Sequence, residues 1–118
     1  MKYAMLIYPK PGSHEGLGEE EAEALTAEYM ALREDSRCVG GAHLQPGDTA
    51  TTVRNGGAEN LITDGPYADA KEVLGGYYIL EATDLDAALD FAQRIPAVRL
   101  GGAVEVRPLV EIPVETAH

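Results

Sequence analysis

Residues 75–112, GGYYILEATDLDAALDFAQRIPAVRLGGAVEVRPLVEI, decide the fold. Gly75–Ala82 opens on two glycines and continues as an apolar run rich in aromatic and branched side chains, which reads as a central strand. Thr83 with Asp86 resembles a capping box, and a helix follows from about Asp84 to Arg94. Leu85, Ala88, Leu89, Ala92 and Ile95 recur at helical spacing and form its apolar stripe. Pro96 closes the helix. Gly102–Ile112 is the next strand. Val104, Val106, Val110 and Ile112 point one way, while Glu105, Arg107 and Glu111 point the other, with Leu109. Strand, helix and strand make one β-α-β unit.

The N-terminal half repeats this order. Lys2–Tyr8 is a strand with Tyr3, Met5 and Ile7 on one face and Ala4, Leu6 and Tyr8 on the other. Both faces are apolar, so both should be covered. Pro9, Pro11 and Gly12 end it, and Gly12–Gly18 is a loop. Glu19–Asp35 is an amphipathic helix with Ala22, Leu25, Tyr29 and Leu32 as its stripe, Gly18 as its N-cap and three glutamates in the first turn, where the helix dipole favours anions. Gly40-Gly41 breaks the pattern. Ala42–Gln45 and Thr49–Arg54 are short strands around the turn Pro46-Gly47-Asp48. Asn55-Gly56 signals a two-residue hairpin that returns along Glu59–Thr63, and Asp64-Gly65-Pro66 stops that strand.

Two β-α-β halves predict an α+β, ferredoxin-like split β-α-β fold: an antiparallel sheet with both helices on one face, in one domain over residues 1–118. The second apolar sheet face then has no cover within the chain. A homodimer, sheet against sheet, is the expected solution.

The chain of 118 residues carries a formal charge of −11. Direct nucleic-acid binding is disfavoured, because phosphates demand a basic face, and acidic membrane surfaces are disfavoured for the same reason. No apolar run is long enough to cross a bilayer. The opening Met1–Lys10 is a short alternating run ending at a proline region, unlike a signal peptide. Cys38 is the only cysteine, which suits a reducing compartment and a cytoplasmic location. A locally basic pocket can still hold a small anionic ligand.

No phosphate-cradling loop, dinucleotide fingerprint or nucleophile elbow is present. His14, His43 and His118 lack metal-ligand spacing, so neither a metal nor a cofactor is expected. Turn residues and charges concentrate instead between Ile62 and Tyr78, and loops of this kind carry sites. Asp64 either fixes the turn through backbone N–H groups or serves as a carboxylate base or acid. Lys71 is either part of a solvated turn beside Glu72 or a positive charge for an anionic substrate. Tyr67, Tyr77 and Tyr78 are core or interface rings, of which one can orient a ligand. His43 lies on a strand and is either structural or a proton-transfer group. Arg107 either pairs with a carboxylate or holds an anion. His14, in a loop, and His118, at the end of the chain, are not candidates.

The run Thr63-Asp-Gly-Pro-Tyr-Ala-Asp-Ala-Lys-Glu-Val-Leu-Gly-Gly-Tyr-Tyr resembles the signature of the YCII-related family, in its DGPF branch. The resemblance extends to the opening Met-Lys-Tyr-Ala-Met-Leu-Ile-Tyr, to Leu44-Gln-Pro with Ala50-Thr-Thr-Val-Arg, and to Arg94-Ile-Pro with Val104-Glu-Val-Arg-Pro-Leu. It implies a dimeric α+β barrel of ferredoxin-like subunits. For function it implies less: a His and Asp pair proposed to act catalytically, relatives acting on chlorinated or hydroxylated aromatic rings, and association with sigma-factor-like transcription proteins. Asp64 matches the motif's Asp, Tyr67 replaces its Phe, and His43 lies outside the motif. Two readings follow. One is a small cofactor-free enzyme of isomerase or lyase type acting on a small anionic or aromatic substrate, with Asp64 and His43 as catalytic residues and Lys71, Tyr67 and Arg107 holding the substrate. The other is a ligand-binding or regulatory module with a transcription-factor partner.

Overall fold

The computed structural model describes residues 1–67 and 73–111. Strands β1 (Lys2–Tyr8), β2 (Cys38–His43), β3 (Thr51–Asn55), β4 (Asn60–Asp64), β5 (Gly76–Glu81) and β6 (Ala103–Pro108) alternate with helices α1 (Glu19–Arg33), α2 (Leu85–Gln93) and α3 (Pro96–Arg99). The main sheet has the order β2-β5-β1-β6, with every pair antiparallel. β1 and β2 therefore run parallel with β5 between them, and β5 and β6 run parallel with β1 between them. These are two interleaved β-α-β units, the split arrangement expected from the sequence.

The pleat sorts the side chains of β1 into two sets. Tyr3, Met5 and Ile7 are buried, together with Tyr78 and Leu80 of β5. The helices lie on this face, where Leu32, Ala88, Phe91, Ala92, Ile95 and Ala97 complete the core. On the opposite face the registers Ala4↔Ile79 and Leu6↔Tyr77 align half-buried apolar side chains, flanked by Glu105 and Arg107 on β6.

Several boundaries differ from the sequence expectation for identifiable reasons. β2 begins at Cys38 and runs through Gly40-Gly41 instead of starting after them, with a bulge between Cys38 and Gly40. Gly41 has φ +149°, and a Cβ there would sit 2.5 Å from the Tyr77 carbonyl oxygen. The glycine is thus a requirement of close strand approach and not a breaker. The N-cap of α2 is Asp84, whose carboxylate accepts from the Ala87 N–H at 2.9 Å, and Thr83 is not the cap. The buried stripe of α2 runs through Phe91, which is fully buried, while the expected Leu85 and Leu89 are exposed. Pro96 opens α3 at its first position instead of only closing α2. β6 ends at Pro108. Val110, expected on the apolar face of this strand, lies beyond its end and is 85% exposed, and Ile112 lies outside the described residues.

The expected hairpin forms as β3–β4, but among the described residues it pairs with no other strand. Its loop is Gly56–Glu59, not Asn55-Gly56 alone. Gly56 N–H donates to Glu59 O at 3.0 Å, and Asn55 Oδ1 accepts from Gly57 N–H at 2.8 Å. Asn55 remains in the ladder opposite Asn60. Val53 (61%) and Ile62 (70%) are strongly exposed on this ribbon.

Candidate functional site

One end of the sheet collects the loops. β1 finishes there at Tyr8, β2 finishes at His43, and β5 starts at Gly76, opposite His43. Gly75 stitches the strands together: its N–H donates to Ile7 O at 2.8 Å, and its carbonyl accepts from Leu44 N–H at 2.9 Å. The chain then passes through a single 3-10 turn at Gly47–Thr49 into the hairpin, whose base is closed by Gly65 N–H on Ala50 O (2.7 Å) and Thr52 Oγ1 on Gly65 O (2.7 Å).

Asp64 is the last residue of β4, opposite Thr51, and is exposed. Pro66 offers no N–H, and that of Gly65 is engaged by Ala50. Among the described residues the Asp64 carboxylate accepts no hydrogen bond. Tyr67 is 76% exposed, with the Arg54 guanidinium 6.0 Å from its ring centroid. Lys71 lies outside the described residues. His43 shares the helix side of the sheet with Gly76, Tyr78 and Leu80, by strand alternation, and stands close enough to His14 to oppose its protonation.

Arg107 is elsewhere. It faces Ala4 across the β1–β6 register, on the side away from the helices, and its guanidinium is 3.3 Å from Glu105 Oε2. Within one chain Arg107 and His43 therefore lie on opposite sheet faces. Both side chains of the Arg107–Glu105 pair are exposed, and such a pair contributes little stability.

His14, set aside on the sequence, has polar partners on both ring nitrogens. Ser13 Oγ and His14 Nδ1 are 2.8 Å apart, and His14 Nε2 and the Tyr29 hydroxyl are 2.9 Å apart. The two rings also pack, with centroids 5.9 Å apart. Burial lowers the His14 pKa, Glu15 opposes that shift, and His43 adds to it. Burial raises the pKa of the Tyr29 hydroxyl, and pushes that of Tyr78 up to about 12. The Tyr78 hydroxyl donates to the Tyr29 carbonyl oxygen at 2.7 Å, tying α1 to the sheet beneath the cluster. One signal in the sequence pointed here. Tyr29 sits on the buried stripe of α1, and a phenol in that position needs a polar partner.

A depression of about 200 Å³ lies between α1 and α2 and is lined by Glu28, Leu32, Asp35 and Arg94. Its charges satisfy one another. Arg37 bonds both carboxylate oxygens of Asp35 (3.1 and 2.9 Å), Arg94 approaches at 3.6 Å, and the hydrogen bonds from Arg37 hold the Asp35 carboxyl well below the usual carboxylate range. This is a structural clamp at the C-terminal end of α1. Among the described residues, no group of three or more His, Cys, Asp or Glu is placed to hold a metal ion. No described helix is long and apolar enough to cross a membrane.

A sheet in the order β2-β5-β1-β6 with its helices on one face defines a ferredoxin-like α+β protein. The model of the YCII-related domain matches residues 1–113. The chain belongs to the YCII-related family. It is 34% identical over 114 residues to the uncharacterized protein R00369 of Rhizobium meliloti (strain 1021), covering 92% of both chains. Among solved structures it is similar to 5-chloro-2-hydroxyhydroquinone dehydrochlorinase (TftG) from Burkholderia phenoliruptrix AC1100 in complex with 2,5-dihydroxybenzoquinone. That match has a TM-score of 0.54 and 19% identity, and covers 93% of this chain and 94% of the other. At that identity the likeness establishes the fold.

Proposed function

We propose that this protein is a cofactor-free enzyme that moves a proton on a small hydroxylated aromatic or anionic compound, bound at the sheet end where β1 and β2 finish. One observation carries the reading. His43 and the base of the hairpin that bears Asp64 leave the sheet at the same end, and among the described residues no backbone N–H of the turn binds the Asp64 carboxylate. A carboxylate and an imidazole in one loop cluster supply a base and an acid at neutral pH. Support for the ligand class comes from the similar dehydrochlorinase, whose structure holds 2,5-dihydroxybenzoquinone on a fold of this kind.

Asp64 takes the proton in this reading, His43 assists, and Tyr67 and Lys71 hold the ligand. Arg107 belongs to a different face and enters only through a second subunit. The apolar strip of Ala4, Leu6, Tyr77 and Ile79 has helices only on its far side, and a two-stranded ribbon such as β3–β4 is marginal by itself. A homodimer joined through that strip shields it and places Arg107 at the seam.

The test is turnover of chlorinated and hydroxylated hydroquinones by the full chain. Asp64→Asn is expected to lower kcat by about 100-fold, in the usual range for a lost general base, with KM nearly unchanged. Asp64→Asn with undiminished kcat on a substrate the wild type converts would remove Asp64 from the reaction.

A further inference from the structure

Three polar side chains unused by the reaction above meet where the loop after β1 folds over α1. Ser13 Oγ lies 2.8 Å from His14 Nδ1, and His14 Nε2 lies 2.9 Å from the Tyr29 hydroxyl. All three residues are half-buried, and α1 is anchored below them by the Tyr78 hydroxyl on the Tyr29 carbonyl. A polar group next to a base, with the base held on its far side by a third group, is the arrangement by which proteins activate hydroxyls.

We propose that Ser13, His14 and Tyr29 form a proton relay serving the ligand of this sheet end, with Ser13 as the residue that touches the ligand. The inference rests on the ligand reading given above. In the resting state the Ser13 hydroxyl donates to Nδ1, and Nε2–H donates to the Tyr29 hydroxyl oxygen. A ligand hydroxyl gives its proton to Ser13 Oγ as the Ser13 proton moves to Nδ1. The ligand becomes an oxyanion, the imidazole becomes imidazolium, and Ser13 ends as it began. The reverse transfer restores both. Tyr29 is a positioning residue, since it fixes the ring and its tautomer without touching the ligand.

The surroundings suit an acceptor. Burial favours the uncharged imidazole, which has a lone pair free at one ring nitrogen, and His43 works in the same direction, so the charge of a bound oxyanion must help to stabilise the imidazolium. Glu15 is the nearby anion that stabilises the imidazolium once formed. The Tyr29 phenol stays protonated, because burial raises its pKa. It therefore remains a neutral hydrogen-bond partner across the working range.

Two measurements on the full chain test the relay. The first is the ¹⁵N imidazole spectrum at neutral pH, with His14→Gln used for assignment. The relay requires the Nε2–H tautomer at His14, and Tyr29→Phe should convert it to a mixture. An Nδ1–H tautomer in the wild type overturns the relay, because no lone pair then faces Ser13. The second uses 4-nitrophenol, whose phenolate absorbs in the visible where the phenol does not. The wild type should show bound phenolate at a pH where the free compound is largely protonated. Ser13→Ala and His14→Gln should lose the band even at 4-nitrophenol concentrations that saturate them by amide shift. An equal band in all three proteins overturns the relay. Absence of binding to all of them overturns the ligand reading instead, and the tautomer spectrum separates the two failures.

Discussion

Phe91→Ala is expected to lower stability by about 4 kcal/mol, the range for a large aromatic removed from a packed core. The side chain is fully buried. Its edge meets the Tyr78 ring at 5.7 Å and 86°, and the guanidiniums of Arg37 and Arg94 stand 5.8 and 5.5 Å from its centroid. Truncation leaves a void under α2 and removes two cation–π contacts that also orient the arginines clamping Asp35. A domain with a typical margin of about 5–15 kcal/mol would lose much of it. Urea unfolding at fixed protein concentration reads the change as a lower midpoint with an unaltered slope. Leu85→Ala, on the exposed side of the same helix, should cost less than about 1 kcal/mol. Comparable losses for both variants would mean that α2 packs through a different stripe.

Ile79→Asp addresses the opposite sheet face. In a single subunit Ile79 is half-buried beside Ala4 and Gly40, and an aspartate there can reach water. In a dimer closed over that face the charge would be buried without a partner, which costs several kcal/mol. The dimer dissociation constant should rise by about 1000-fold or more, equivalent to roughly 4 kcal/mol. Light scattering should then give the 12.6 kDa mass of one chain in place of twice that, with the far-ultraviolet dichroism preserved. A wild type already at one-chain mass would refute the seam and the role of Arg107 at it.

The main sheet and helix layer were legible because their signals are periodic. Alternation along β1, helical spacing along α1 and the strand–helix–strand order of residues 75–108 each specify a burial face, and together they specify the split topology. What escaped the sequence reading depends on contacts between distant segments. Gly41 looked like a breaker because its close approach to Tyr77 is invisible in one dimension. Phe91 was missed because Leu85 and Leu89 offer an equally regular stripe, and only the position of Tyr78 chooses between them. Of the candidate site residues, Asp64 lies at a strand end and His43 on a strand as read, and Tyr67, read as a core or interface ring, is exposed in the single chain; nothing local distinguished the face of Arg107 from that of His43. His14 was passed over because a loop histidine has no period, and its partner Tyr29 is 15 residues away.

The most direct test of the proposed site is a titration of the full chain, ¹⁵N-labelled, with 2,5-dihydroxybenzoquinone, read as amide and imidazole shift changes. Binding at the end of β1 and β2 predicts the largest changes at Ser13, His14, Tyr29, His43 and Asp64, with Glu28, Asp35 and Arg94 unmoved. Changes confined to the α1–α2 depression, or a spectrum that does not respond, would contradict it.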